Sequence, residues 1–224
     1  MTPVDGADLA GRYVELVLSE RHAGADAVKL LLDPVLGGTL ELADLYEHVL
    51  APAQVEIGER WHRNEISVAD EHYATELTRR VMTLASGFTP VPRPEHGVVV
   101  LAAPPDEAHD LPLRMAFDLL VREGLDVRLL GALTPTGALA AFVERTRPDL
   151  VALTCATVGA AGGAEAAVAA VRELDETVAV VLAGRYVALH PRLARQSGAD
   201  AYVTSLRKGV DLIVSLVDRR RGES

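Results

Sequence analysis

Between Pro90 and Pro94 the chain places three prolines in five positions, and the spacing of its apolar residues differs on the two sides of them. Prolines fix φ, remove backbone donors and disfavour helix, so this stretch reads as a stiff connection between two folding units. Residues 89–97 are taken as a linker, 1–88 as one domain and 98–224 as a second. A chain of 224 residues is long enough for both to bury a core.

Before the prolines the apolar period is helical. Leu9, Tyr13, Leu16 and Val17 fall at i, i+4, i+7 and i+8. Ala27, Leu30, Leu31 and Val35 make a second stripe, stopped at Gly37-Gly38. A third segment opens at Thr39 or Glu41, runs through Tyr46, Leu50, Ala53 and Ile57 to Trp61, and is expected to kink at Pro52. The fourth starts at Ser67, with Asp70 at capping-box spacing, and continues through Leu77, Val81 and Leu84. Four helices with short connections predict a bundle.

Beyond the linker, apolar runs at 98–103, 127–130 (broken by Arg128), 150–153, 178–183 and 201–203 alternate with helical stretches at 113–123, 136–145, 164–174, 191–197 and 208–217. Five strand–helix pairs predict a doubly wound α/β domain with a parallel sheet buried on both faces. Ligands of such sheets sit outside the carboxyl ends of the strands, where strand order reverses.

Composition narrows the function. With 32 acidic and 22 basic side chains the net charge is −10, the wrong sign for displacing counterions from phosphates, so direct nucleic-acid binding is not expected. The basic run Arg219 to Arg221 reads as a solvated helix end. A single cysteine, Cys155, excludes an internal disulfide and fits a reducing compartment; its apolar surroundings suggest a buried, inert thiol. Residues Met1 to Gly6 offer neither a basic nor an apolar leader segment, and no apolar stretch reaches the roughly 20 residues of a membrane span. A cytoplasmic protein without membrane contact is expected.

Aromatic residues make up only 4% of the chain, so the placement of the one tryptophan carries information. Trp61 is followed by His62 and, with nine residues between, by Glu71-His72. Consecutive residues on a helix point about 100° apart, so Glu71 and His72 do not readily serve one tight metal centre. A zinc site from His62, Glu71 and His72 matches no known ligand spacing. The plainer alternative makes Trp61 core packing and His72 a satisfied interface histidine. In the second domain Glu107 and His109 follow the first strand, where a carboxylate accepting one ring proton would orient the imidazole; the alternative is a solvated acidic loop containing Asp106, Glu107 and Asp110. The stretch 159–163 lacks both the dinucleotide glycine spacing and the P-loop lysine, and reads as a turn with backbone amides for a polar ligand. Histidines on two domains suggest one large ligand.

Together these motifs resemble the sensory region of cobalamin-binding light sensors related to CarH-like transcriptional repressors, in which a four-helix bundle caps a Rossmann-like (flavodoxin-like) cobalamin domain. The bundle motif Trp-x9-Glu-His is present as Trp61, Glu71 and His72, and the cobalamin motif Glu-x-His-x-x-Gly as Glu107 and His109, with Pro112 in place of glycine. The resemblance spans the chain from about residue 7 to the last helix. It implies that His109 is the lower axial cobalt ligand and that Trp61, Glu71 and His72 line the upper face, over adenosyl if adenosylcobalamin is bound. It also implies that His62 coordinates cobalt after photolysis, that Thr154 and Thr157 border the nucleotide tail, and that Gly184 allows close approach after the fourth strand. Pro112 removes an N–H and fixes φ, so the His109 loop is expected to differ in shape. The winged-helix DNA-binding domain of the repressors has no counterpart here. The implied function is a stand-alone light sensor acting on an unidentified partner protein or by self-association rather than an enzyme. Some similar stand-alone proteins, the photocobilins, add a bilin such as biliverdin; Cys155 is not placed for a thioether to one. A corrinoid carrier for methyl transfer is the alternative, and a fold that has lost its cobalamin site is a third.

Overall fold

In the computed structural model, residues 5–19, 24–95 and 97–222 are described, without the side chains of residues 193 and 194. Residues 1–4 and the linker residue His96 lie outside the described residues. The chain divides into two compact units, Met1–Pro90 and Val91–Ser224.

The first unit is built on local signals. Helix α1 (Gly6–Val17) is capped by Asp5, whose carboxylate accepts from the amides of Ala7 and Asp8, and it buries Leu9, Ala10, Tyr13, Val14 and Val17. Helix α2 (Gly24–Leu36) buries Ala27, Val28 and Leu31 and holds Pro34 in its last turn, where the Pro34 carbonyl accepts from the amides of Thr39 and Leu40. The third rod is continuous: α3 (Leu42–Asp44), a π-helical stretch (Leu45–Leu50) and α4 (Ala51–His62). The disturbance expected at Pro52 takes the form of this wide winding directly before it, in which the Ala51 amide reaches back to the carbonyl of Tyr46. Pro52 has no N–H for the His48 carbonyl and its ring crowds that carbonyl, so the extra residue per turn relieves the clash. Helix α5 (Val68–Gly87) opens on a reciprocal cap: Ser67 Oγ accepts from the Asp70 amide at 3.2 Å and Asp70 accepts from the Ser67 amide at 2.8 Å. Leu45, Tyr46, Val49, Leu50, Ile57, Ala74, Val81 and Ala85 are fully buried among these helices.

The second unit is a five-stranded parallel sheet in the order β2-β1-β3-β4-β5, formed by β1 (Val98–Ala102), β2 (Asp126–Gly131), β3 (Leu150–Thr154), β4 (Ala179–Ala183) and β5 (Ala201–Tyr202). Alternate residues of the central strands pack to opposite faces. Val100, Ala102, Val151, Leu153, Val180 and Leu182 join Leu139 and Val143 of α7 (Thr136–Thr146) and Ala164, Val168 and Val171 of α8 (Ala161–Leu174) in one core. The other face is covered by α6 (Leu111–Leu120) and α11 (Leu206–Gly222), which contact each other and the sheet. Burial on both faces is why the strands read as unbroken apolar runs. Arg128, which interrupts the second run, is exposed on edge strand β2 and pairs with Asp126 at 2.5 Å. Two short helices, α9 (Arg185–Leu189) and α10 (Pro191–Gln196), lead from β4 to β5. The sequence pattern anticipated α10 and not α9, which is too short to show a period.

The architecture is thus a four-helix bundle followed by a flavodoxin-like, five-stranded parallel α/β domain. The strand order reverses between β1 and β3, which sets the crevice at their carboxyl ends. No described helix is long and apolar enough to cross a membrane.

Candidate functional site

The loop that follows β1 carries Glu107 and His109 to this switch point. Glu107 is fully buried, which overturns the reading of this loop as a solvated acidic segment. Its Oε1 accepts from the His109 amide at 3.0 Å and from His109 Nδ1 at 2.6 Å. Its Oε2 accepts from the amides of Ala156 at 2.6 Å and Thr157 at 3.2 Å, in the loop after β3. One carboxylate therefore ties together the two loops on either side of the crevice. The Glu107 carbonyl also accepts from the Leu133 amide in the loop after β2. Burial by itself would raise the pKa of such a carboxyl. The hydrogen bonds from the His109 ring and from the amides of His109 and Ala156 outweigh it and hold Glu107 below the usual carboxylate range.

A carboxylate can only accept, so Nδ1 of His109 carries a proton, and in the neutral ring Nε2 then holds the lone pair. The His109 side chain is 62% exposed. This is the tautomer and orientation of a metal-binding imidazole with a carboxylate behind it. Asp110, the other acidic neighbour, is also buried and accepts from Arg114 Nε at 2.8 Å. Pro112 falls in the first turn of α6, where a backbone N–H has no intrahelical acceptor and φ near −65° suits a helix. The proline thus begins the helix earlier than the period suggested and leaves the Glu107–His109 bond in place.

Thr154 ends β3 with a buried hydroxyl, and its Oγ1 has no hydrogen-bond partner among the described residues. Thr157 contributes its backbone amide to Glu107. Gly184 follows β4 at φ 109°, and a Cβ there would collide with the Cys155 carbonyl. What approaches Gly184 so closely is the backbone of the neighbouring loop, and only glycine accepts both that contact and that φ. The stretch at 159–163 turns into α8, where a Cβ on Gly163 would meet Pro104 and Pro105 at 3.3 Å. Cys155 is buried, and burial together with the Glu107 charge pushes its thiol up to about 11, so it is not a nucleophile at neutral pH. Val158 and Leu189, after β3 and in α9, are 73% and 66% exposed, leaving apolar surface at the same carboxyl edge.

In the first unit, the end of α4 and the start of α5 bring Trp61, His62, Glu71 and His72 to one end of the bundle. Trp61 is 41% exposed, too much for a core residue, and its ring stacks on His62 with centroids 4.9 Å apart. Glu71 is half-buried while His72 points to solvent, and Glu71 Oε2 lies 3.7 Å from His72 Nε2. Among the described residues no three His, Cys, Asp or Glu side chains gather at metal-binding distance, so His62, Glu71 and His72 form no cage of their own. Sequence reasoning missed Gln54, Thr75, Thr78 and Tyr13, which stand behind Glu71. The signal was there: Glu71, Thr75 and Thr78 repeat at i, i+4 and i+7, a polar stripe on an otherwise amphipathic helix.

Two family models, each described as a B12 binding domain, match this chain, one over residues 15–85 and the other over residues 97–209. The chain belongs to the B12-binding domain family. Among curated proteins it is 36% identical over 124 residues to the HTH-type transcriptional repressor CarH of Myxococcus xanthus, covering 55% of this chain and 40% of that protein. The repressor CarA of the same organism is 35% identical over 106 residues, covering 47% of this chain and 34% of that protein. The chain thus spans well under half the length of these relatives. Among solved structures, the monomethylamine corrinoid protein of Methanosarcina barkeri aligns with a TM-score of 0.78 at 14% identity, over 93% of this chain and 98% of that one. A cobalamin-binding protein of Desulfitobacterium hafniense DCB-2 aligns with a TM-score of 0.52 at 19% identity, over 96% of this chain and 99% of that one. These two likenesses show the fold.

Proposed function

We propose that this chain is a cobalamin-binding light sensor that passes a conformational change to a partner protein or a second copy of itself. The observation that carries the cofactor is the buried Glu107, which holds Nδ1 of the largely exposed His109 ring. His109 is assigned as the lower ligand. The unpartnered hydroxyl of Thr154 fits a polar tail entering between the loops after β3 and β4, with Thr157 and Gly184 bordering its path. Pro112 supports the site from the first turn of α6. When bound, cobalamin supplies a cobalt–carbon bond that visible light cleaves.

The bundle residues supply the sensor half of the reading. Trp61 presents an exposed indole for a flat or apolar upper group and would keep water from it. Glu71 and His72 add polar contacts, and adenosyl is the upper group they suit. His62, stacked on Trp61, is the imidazole assigned to the metal after illumination. A bilin such as biliverdin would be held without a thioether, because the one cysteine is buried. Similarity to the CarH repressor supports regulation over catalysis.

The test is an absorption spectrum of the chain loaded with adenosylcobalamin, with and without biliverdin, before and after illumination. A stable bis-imidazole-like photoproduct that disappears in His62→Ala is the expected result. Loss of the dark spectrum in His109→Ala is expected as well. Tight binding of methylcobalamin without a lasting photoproduct would replace the sensor by a corrinoid methyl carrier. No binding at all would remove both.

A further inference from the structure

The bundle contains a line of polar side chains that cofactor binding does not by itself require. Tyr13 of α1 and Thr78 of α5, both fully buried, lie 2.9 Å apart through their hydroxyls. Gln54 of α4 spans Thr78 Oγ1 at 2.7 Å and Thr75 Oγ1 at 3.1 Å. Thr75 Oγ1 is in turn 3.0 Å from Glu71 Oε1. Three helices thus contribute to one path from the core of the bundle to a carboxylate of the Trp-x9-Glu-His motif. Phe, Val, Leu and Val would fill the same volumes without any polar group to desolvate, so stability alone does not call for this path.

Counting protons gives the path a direction. Tyr13, Thr78 and Thr75 have one O–H each, Gln54 has two N–H, and the Glu71 carboxylate only accepts. With Gln54 Nε2 on Thr78 and Oε1 on Thr75, the single Thr75 proton faces two acceptors, Gln54 Oε1 and Glu71 Oε1. Half a turn of the amide exchanges two groups of nearly equal size and moves nothing else. Each contact then has one donor and one acceptor.

We infer that Gln54 takes this second orientation, and that Tyr13→Thr78→Gln54→Thr75→Glu71 is an unbroken chain of donated hydrogen bonds that positions the Glu71 carboxylate for the upper ligand. Its functional half rests on the assignment of Glu71 to the cofactor. Each donor is polarised by the one behind it, so Thr75 is a stronger donor than an isolated hydroxyl. Glu71 Oε1 is fixed by that bond, and Oε2 is left toward His72. Gln54 and Thr75 are positioning residues: they act on the ligand through Glu71.

Nuclear magnetic resonance of the ligand-free full chain tests the chain of bonds without any cofactor. The Gln54 amide protons should give stronger Overhauser effects to the Thr75 methyl than to the Thr78 methyl. The Glu71 side-chain carbon signals should shift toward rotamer-averaged values in Thr75→Val and return in Thr75→Ser. Gln54→Met, whose side chain has similar reach, should reproduce the valine effect and serves if Thr75→Val does not fold. In the loaded protein, Thr75→Val should weaken the preference for adenosylcobalamin over methylcobalamin about fivefold, the loss of about one hydrogen bond, and Thr75→Ser should restore it. Amide contacts to Thr78 instead of Thr75, or Glu71 signals indifferent to both substitutions, would overturn the chain. Correct amide contacts in a wild-type protein that binds no cobalamin would uphold the chain and remove the cofactor reading.

Discussion

At the scale of single residues, the site is defined by where polar groups are buried. Thr154 holds a hydroxyl in the interior with no partner among the described residues, and a buried hydroxyl left unpaired costs about 1–3 kcal/mol. Thr154→Val should therefore leave ligand-free stability unchanged or raise it by about 1 kcal/mol, measured by chemical denaturation, while weakening cobalamin binding in a spectroscopic titration. A substitution harmful to both would show that the hydroxyl serves the fold. Tyr13 makes a different prediction. Burial, reinforced by Tyr73, pushes its phenol from 10.0 up to about 12. The unfolded chain gives up this proton more easily, so the contribution is complete below pH 10 and is lost as pH rises toward 12. A loss of about 2–3 kcal/mol over that window is expected in thermal melts of the bundle, and Tyr13→Phe should flatten it. The contact between Glu107 and His109 was legible because a histidine beside a carboxylate after the first strand has a recognisable chemistry. The burial of Glu107 was not, because three acidic residues around one histidine look solvated until the loop after β3 is seen to supply two amides.

At the scale of elements, caps and clamps decide more than propensity. The Ser67–Asp70 box sets the start of α5, and with it the direction in which Glu71 leaves the helix. Ser67→Ala should cost about 1 kcal/mol in the stability of the bundle and raise amide exchange over residues 68–71 first. In the second unit β5 is only two residues long, and Arg172 of α8 supplies what the short strand lacks. Its guanidinium donates to the carbonyls of Gly198, Glu176 and Val178 and pairs with Asp200 at 2.5 Å. Arg172→Ala should release β5, seen as faster amide exchange at Ala201 and Tyr202 with β1 and β3 protected. Helix and strand positions were legible from their periods because the cores of both units enforce them. The π-helical winding was not, since proline announces a disturbance and leaves its form to the neighbouring turns. The Arg172 clamp was equally hidden, because its partners are mostly backbone carbonyls that carry no sequence signature.

At the scale of the whole molecule, two units with separate cores are joined through residues that expose their side chains. Phe88, directly after α5, is 64% exposed, and the residues from Pro90 to Glu95 are exposed too. Chymotrypsin should cut first after Phe88. On the proposed reading, the released 89–224 fragment should retain corrinoid binding through His109 but lose the lasting photoproduct assigned to His62. A fragment as photoactive as the intact chain would place the whole light response in the α/β unit. The division itself was visible in three prolines and a change of period, whereas the large ligand was inferred from histidines on both sides. The Glu107 tie also has a calorimetric meaning. A loop already pinned to two others has few rotamers left to surrender, so capture of the proposed cobalt at His109 should show little ordering entropy there, and Glu107→Ala should make binding more costly in entropy before it makes it weaker in enthalpy.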